Sequence, residues 1–592
     1  MERSPAGHAS SSPCLRRSRS AEEGRGRNKP LSATGNETTQ RESVKWGTDI
    51  PRPPTEAGST TAQGKAYDAI VIGGGHNGLV AAAYLGRAGR RVLVLERRHL
   101  VGGAAVTEEI YPGFKFTVCS YVCSLLRPEI IRDLNLPGHG YQIIPVESTF
   151  SPLPDGRYLF RGGDSEENRR EISKFSKRDA EAYPKFGQLM VKIAKLVKPQ
   201  LAMTPPSVDS ISPGNLKKLW DLYGYFKGVD EEVLYTFARL MTMSSADYLD
   251  EWFETDVLKG TMSASGIIGT FLGPRSPGTA YVLIHHYMGE VDGAFRAWGS
   301  VRGGMGGLSN AIAGAARSFG VEVRTSADVR RILTKDGRAI GVELASGEQI
   351  RSKIVASSAD PKRTFLGFLE RSELPQDFVR GIENYRVEGS SAKVNLALSE
   401  PPNFTALPGN GEHLRGAVSI SPSVEYIEKA YDDAKYGDFS RRPYLDCMVP
   451  STLDPTMAPP GKHIMSIFVQ YAPFTLRKGN WDDRREELGD TVVETLAEYA
   501  PNLPKAILHR QVVTPLDLER EFGLTGGNIF QGELWPSQLF FLRPVPGWAQ
   551  YRTPIKGLYL CGSGAHPGGG VMGAPGQNAA REILKDLRFG GG

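Results

Sequence analysis

Long apolar runs are missing from this sequence. Nowhere in its 592 residues do about 18 apolar side chains follow one another, which excludes an ordinary membrane-spanning helix but not a chain that lies on a membrane surface. Cysteine is scarce: Cys14, Cys119, Cys123, Cys447 and Cys561 are too few for a disulfide-stapled secreted scaffold. The ten histidines are scattered, no His-x-x-x-His occurs, and no metal site is expected. Most of the chain also lacks an excess of either charge. Net charge is +5, and residues 1–65 carry most of it, with 11 Lys/Arg against 7 Asp/Glu. The nearly neutral body has no basic face for a nucleic acid, so none is expected as a partner. A composition of 40% hydrophobic and 23% charged residues excludes collagen, coiled coil and a wholly disordered chain. What the sequence has in plenty is glycine, 68 residues, many of them clustered.

Residues 1–65 are rich in Ser, Thr, Gly, Pro and Arg and lack aliphatic periodicity, which predicts a disordered tail. No apolar segment suitable for a secretory signal occurs there. Arg3, Arg16, Arg17, Arg19, Arg25 and Arg27 among serines suit a mitochondrial presequence, whereas Glu2, Glu22, Glu23, Pro5 and Pro13 oppose an amphipathic helix. A plain disordered tail is the alternative.

The body opens on Tyr67-Asp68-Ala69-Ile70-Val71-Ile72, a short strand pattern that runs into Gly73-x-Gly75-x-x-Gly78 and then a helix-forming stretch. A second strand, Arg91 to Leu95, ends at Glu96, 21 residues beyond Gly75. Strand, glycine turn, helix and acid in this spacing form a dinucleotide-binding fingerprint. Gly73 permits the tight turn, Gly75 lets the backbone approach a pyrophosphate, and Gly78 lets helix and strand pack closely. His76 and Asn77 sit where the helix N-terminus offers free N–H groups to phosphate. Glu96 is placed to accept hydrogen bonds from ribose hydroxyls. The following Arg97-Arg98-x-x-Val101-Gly102-Gly103-Ala104-Ala105-x-Thr107 resembles the extended signature of flavoprotein oxidases and desaturases, which favours FAD over NAD. By that resemblance Arg97, Gly102, Gly103 and Ala104 lie along the cofactor.

Two later glycine clusters extend the pattern. Gly303-Gly304-Met305-Gly306-Gly307-Leu308 leads into a predicted helix from Ser309 to Ser318, then strands at Val321–Arg324, Val329–Leu333 and Ile340–Leu344. Ser346-Gly347 reads as a hairpin turn before a strand at Ile354–Ala356. A separate β-rich domain without a cofactor role is the alternative for this block. Near the C-terminus, Gly562-Ser563-Gly564-Ala565-His566-Pro567 and the glycines up to Gly573 precede a last helix with Pro575 in its first turn. The positive end of that helix can face a flavin's pyrimidine edge, where negative charge gathers on reduction. Gly562, Gly564, Met572 and Gly573 are expected cofactor contacts.

With Thr514-Pro515-x-Asp517-Leu518-Glu519, Gly526-Gly527-Asn528 and Arg543-Pro544 added, the chain resembles the phytoene desaturase family of FAD-dependent oxidoreductases from about Tyr67 to Leu587. The resemblance implies an α/β fold, a glutathione-reductase-like FAD-binding Rossmann domain built from discontinuous segments 66–160, 295–370 and 553–592. An α+β substrate, or cap, domain would take 161–294 and 371–552. Val329 would contact adenine through its backbone. The resemblance also tilts the tail toward mitochondrial import, to the matrix or the inner face of the inner membrane, with a mitochondrial protein partner; a cytoplasmic location is the alternative.

A disulfide reductase is disfavoured. Cys119 and Cys123 are spaced C-x3-C rather than C-x4-C, and no second Gly-x-Gly-x-x-Gly follows a strand and opens a helix. Both cysteines, like Cys561, read as small core residues. Leu216, Leu219, Trp220 and Tyr223 recur at helical spacing beside Lys217, Lys218 and Lys227, as in a membrane-surface helix or an ordinary core-facing one. His285, His286 and His566 are candidates to move a proton, with a buried structural role as the alternative. The expected activity is hydride transfer from an apolar or amphipathic small molecule to flavin N5, with oxygen or a quinone as acceptor. A flavin-bound isomerase without net redox change and a prenyl- or lipid-binding escort protein are the competing readings.

Overall fold

Strand β1 (Tyr67–Ile72) is buried from Ala69 onward, the mark of a central strand covered on both faces. The computed structural model describes residues 67–589 apart from 147, 208–209, 292 and 296, and the tail expected over 1–65 lies outside the described residues. From β1 the chain turns through Gly73–Gly75 into α1 (His76–Arg87) and returns as β2 (Val92–Leu95). Two strands, β3 (Thr149–Pro152) and β4 (Tyr158–Arg161), belong to a second sheet. A helical block follows, with α2 (Lys177–Val197), α3 (Pro213–Phe226) and α4 (Thr279–Tyr287) among its members. Next come α5 (Met305–Ser318), β5 (Glu322–Arg324), β6 (Val329–Lys335), β7 (Arg338–Leu344) and β8 (Gln349–Ser357). The second sheet is completed by β9 (Ser391–Leu398), β10 (Ala417–Ile420), β11 (Tyr444–Met448), β12 (His463–Gln470) and β13 (Ile507–Val513). Finally β14 (Leu558–Leu560) and α6 (Ala574–Phe589) rejoin the first sheet.

The first sheet is seven-stranded. Its parallel part runs β5-β2-β1-β8-β14, with Ile72 level with both Leu95 and Ser357. Strand β8 changes partners along its length: Gln349–Arg351 pair antiparallel with β7, and from Ser352 onward it pairs with β1. Gly347, at φ +88°, makes the turn between β7 and β8, as its Ser-Gly signal predicts. Strands distant in sequence thus meet in one Rossmann-like layer, whose fully buried Val and Leu side chains each contribute about 1.5–3 kcal/mol before entropy is charged. Helix α6 lies so close to α1 that a Cβ on Gly576 would stand 2.1 Å from the Asn77 carbonyl oxygen.

Two expectations shift. Helix α5 starts at Met305 rather than Ser309, because Gly304 takes φ +74° as its cap and a Cβ on Gly306 would fall 2.7 Å from the Thr107 nitrogen. The glycines belong to the first turn and let it press on Thr107. The first nucleotide segment, expected to reach 160, gives up Thr149–Arg161 to the second sheet. That sheet has the order β13-β9-β12-β11-β10-β3-β4 and is antiparallel except where β10 meets β3. Every residue of β9 is buried, although Lys393 and Asn395 lie on it.

Candidate cofactor-binding site

A cleft opens at the C-terminal ends of β1 and β2, where a dinucleotide binds in a doubly wound sheet. Gly73, at φ +93°, ends β1 and donates its N–H to the Leu95 carbonyl at 2.8 Å. Glu96 follows β2 and is almost fully buried; its Oε2 accepts the Gly74 N–H at 2.7 Å and its Oε1 the Arg98 N–H at 2.9 Å. Each carboxylate oxygen has a second lone pair, so this anchoring leaves capacity for ribose hydroxyls. The second glycine pair is tied to the first: Gly102 donates to the Gly74 carbonyl at 2.8 Å, and a Cβ on Gly103 would lie 3.3 Å from the Gly75 Cα. With hydrogens in place of side chains, the floor of the cleft is bare backbone ahead of α1.

The residues present fit FAD. His76 Nε2 and Asn77 Oδ1 are buried without a hydrogen-bond partner at the N-terminus of α1, and unsatisfied atoms of this kind call for a ligand. Asn77 Nδ2 donates to Ser563 Oγ at 3.0 Å, which links α1 to the C-terminal loop. Burial lowers the pKa of His76 to about 4, so its imidazole is neutral. Arg97 and Arg363 both line the cleft, and neither forms a salt bridge among the described residues. Burial and then the Arg363 charge lower the pKa of Arg97. Two guanidinium groups without a salt bridge suit a pyrophosphate.

Of the expected cofactor contacts, Gly73, Gly75, His76, Asn77, Glu96, Arg97, Gly102, Gly103, Ala104 and Val329 line this cleft. Gly78 does not; a Cβ there would stand 2.2 Å from the Gly73 carbonyl oxygen, so it serves close packing. Nor do Gly562, Gly564, Met572 and Gly573. Gly562 and Gly564 are pressed on Ser358 and Pro361, where a Cβ would come within 2.4 and 2.3 Å. Met572 is buried in the core of the helical block, and Gly573, at φ +72°, turns the chain into α6. Ser563, between the two loop glycines, is the residue of that loop that reaches the cleft. Arg363, Ser358 and Gln531 also line it and carry no motif; the basic pair Lys362-Arg363 just past the end of β8 could have marked Arg363, and no short-range signal marks the other two.

The three candidate histidines are not brought to the cleft. His285 Nε2 donates to the Gly569 carbonyl at 3.2 Å, His286 Nδ1 to Val282 at 2.9 Å and His566 Nε2 to Gln200 at 3.0 Å. All are buried, and burial lowers the pKa of His285 to about 3 and of His566 to about 4. His285 and His566 are neutral donors that join loops to helices, whereas His286 bonds within its own helix. Cys119 and Cys123 are free thiols pushed up to about 12 and 11 by burial, which removes the thiolate that disulfide exchange needs.

One ionisable group was invisible in the sequence. Lys393, on β9, is 3% exposed; its Nζ donates to Ser466 Oγ at 2.6 Å and lies 3.9 Å from the centre of the Tyr121 ring. Burial lowers its pKa to about 7. Neighbouring Ser120 donates its N–H to the carbonyl of Ala104, in the cleft wall, at 3.0 Å. Tyr121 and Ile529, itself a cleft residue, join an apolar cluster with Phe468 and Ile268. Lys393 does not itself line the cleft; it reaches the Ala104 end through Tyr121 and the adjacent Ser120.

The family profile described as "Flavin containing amine oxidoreductase" matches residues 78–584. Over 547 residues the chain is 43% identical to pyridine nucleotide-disulfide oxidoreductase domain-containing protein 2 of Rattus norvegicus, covering 88% of this chain and 94% of that protein. It is 30% identical over 550 residues to a limonene dehydrogenase component of Castellaniella defragrans, covering 88% and 95%. Among solved structures, cyclohexylamine oxidase of Brevibacterium oxydans matches with a TM-score of 0.53 at 17% identity, over 88% of this chain and 100% of that one, a likeness of fold.

Proposed function

This chain belongs to the flavin containing amine oxidoreductase family, and from that premise we propose that it is an FAD-dependent dehydrogenase or oxidase of an apolar or amphipathic small molecule. The cofactor is FAD. The observation that carries the reading is the cleft, where Glu96, two glycine pairs, two arginines without a salt bridge and the unsatisfied atoms of His76 and Asn77 converge. Glu96 and Val329 would hold the adenosine half. Backbone N–H groups of α1, with Arg97 and Arg363, would hold the pyrophosphate, and Ala104, Gln531 and Ser563 the flavin end. When bound, FAD supplies a hydride acceptor at its N5.

The substrate class rests on the apolar cluster around Ile529 and on the limonene dehydrogenase relative, whose named substrate is a hydrocarbon. Lys393 is the group assigned to hold or pass a proton, since a buried amine with a pKa near 7 exists in both forms at neutral pH. Oxygen or a quinone would then accept the electrons. A mitochondrial location, at the matrix or the inner face of the inner membrane, rests on the arginine-rich composition of residues 1–65.

Anaerobic mixing of the purified protein with a panel of apolar alcohols, amines and alkenes tests the reading. Loss of the oxidised flavin absorbance, with one oxidised product per flavin, is the expected result. In Lys393→Met the same step should slow at saturating substrate while FAD content stays unchanged. Rearranged product with no bleaching would replace the dehydrogenase by an isomerase, and a colourless protein that retains lipid would replace both by an escort.

A further inference from the structure

Gly526-Gly527-Asn528 and Arg543-Pro544 do not line the cofactor cleft, yet both bear on the turn that carries Gln531, which does. Asn528 Oδ1 accepts the N–H groups of Phe530 at 3.0 Å and Gly532 at 2.9 Å, and its carbonyl accepts that of Gln531 at 3.2 Å. The turn so closed puts Gln531 at φ +56°. That left-handed conformation is unfavourable for a residue with a Cβ and persists only where the surroundings over-determine it. Glycine would relieve the strain but lacks the side chain that is used here. Gln531 Nε2 donates to the Ser358 carbonyl at 2.9 Å, and Oε1 accepts the Gly564 N–H at 3.2 Å.

Arg543 is fully buried and forms no salt bridge among the described residues. Its guanidinium bonds backbone carbonyls instead. Nη2 lies 2.8 Å from the Ser563 oxygen and 3.1 Å from those of Phe530 and Gly532, and Nε lies 3.2 Å from Ser563. Nη1 reaches Glu533 at 3.1 Å and Gln538 at 3.4 Å. Phe530 and Gly532 flank Gln531, and Ser563 is the cleft residue of the C-terminal loop. Tyr385 repeats the tie: its hydroxyl lies 3.1 Å from the Gln531 carbonyl and 3.4 Å from that of Gly564, and its ring centre is 5.7 Å from the Arg543 guanidinium carbon. A buried cation without a counter-ion destabilises a fold. Only a planar fork of five N–H groups reaches carbonyls on two loops at once, and that is what the charge is retained for.

We propose that Arg543 is a positioning residue for FAD: by holding the carbonyls on both sides of Gln531 and that of Ser563, it fixes the two polar side chains that these loops present to the flavin end of the cleft. Arg543 does not line the cleft and acts only through them. Tyr385 belongs to the same clamp. Ser563 Oγ in turn accepts Asn77 Nδ2 at 3.0 Å, so the clamp extends to the N-terminus of α1, where the pyrophosphate would lie. The inference rests on the cleft being the FAD site and is independent of the substrate.

Release of FAD from the diluted full-length holoprotein, followed by the rise in flavin fluorescence, tests it together with the visible circular dichroism of the bound flavin. Arg543→Lys keeps the charge but loses the fork; it should release FAD about tenfold faster, with an altered visible spectrum and an unaltered far-ultraviolet one. Tyr385→Phe removes one hydroxyl and should speed release about threefold. If Arg543→Lys fails to fold, Tyr385→Phe carries the test alone. On a background of Gln531→Ala with Ser563→Ala, Arg543→Lys should change release by less than about twofold, since the side chains it positions are gone. A natural chain without FAD would overturn the reading of the cleft itself. An FAD-loaded natural chain whose Arg543→Lys and Tyr385→Phe variants release FAD at the natural rate would overturn the clamp alone. So would a tenfold effect of Arg543→Lys that persists on the double-alanine background, because Arg543 would then act through general stability.

Discussion

Glu96 accepts the N–H of Gly74 at 2.7 Å, so the acid that follows β2 and the glycine turn that follows β1 are held together by a charge-assisted bond within the protein. The same carboxylate holds the Arg98 N–H. The rigidity of the glycine turn therefore depends on the side chain proposed to hold the ribose.

Glu96→Ala should lower both FAD retention and stability. It leaves two N–H groups without a partner, at about 1–3 kcal/mol each. Thermal unfolding followed by circular dichroism should show a lower Tm for the apoprotein as well as the holoprotein. Gly75→Asp should instead empty the cleft with a smaller loss of Tm in the apoprotein, because its carboxylate enters the pyrophosphate position without breaking a bond. Full flavin content in Gly75→Asp would remove the nucleotide-binding reading of the cleft.

NADH and NADPH should not reduce the flavin. The thiols of Cys119 and Cys123 are raised by burial to about 12 and 11 and are not paired as a disulfide. Under anaerobic conditions with excess nucleotide the oxidised absorbance should persist, and Cys119→Ser should behave like the natural chain. Rapid bleaching by either nucleotide would revive a reductase.

The buried histidines should govern acid stability rather than turnover. His76, His285 and His566 have folded pKa values lowered to about 4, 3 and 4, so below the ordinary value of 6.5 the unfolded chain binds more protons than the folded one. Stability should fall as pH drops from about 6.5 toward 4, by up to about 1.4 kcal/mol per pH unit for each histidine. Denaturant titrations across this range should show a shallower acid limb in His285→Gln with His566→Gln. The pH profile of substrate oxidation should be unchanged in His286→Gln; an altered profile would restore that residue to the chemistry.

Removal of residues 1–60 should leave FAD content and Tm unchanged, since their sequence lacks the aliphatic periodicity of a core of its own. Fused to a fluorescent reporter, the full chain should enter mitochondria and the truncated chain should not. Matrix delivery of the truncated chain would show that the address lies elsewhere.

The local parts of the cofactor site were legible in the residues themselves. A tight turn, a close backbone approach and a helix N-terminus each demand particular residue types at fixed spacing, so Gly73, Gly75, Glu96 and Gly103 announce their roles through neighbours a few positions away. The paired strands and the hairpin at Gly347 follow from the same short-range rules. Tertiary structure decided everything that depends on partners distant in the chain. It brings Arg363 into the cleft beside Arg97, turns His285 and His566 away to bond the carbonyls of Gly569 and Gln200, and packs Gly562 and Gly564 on the Ser358–Pro361 segment. It also buries Lys393 and leaves α3 bare. Periodicity shows that a helix has an apolar face but not whether another element covers it. A lysine in a strand takes a lowered pKa only from the walls that close around it.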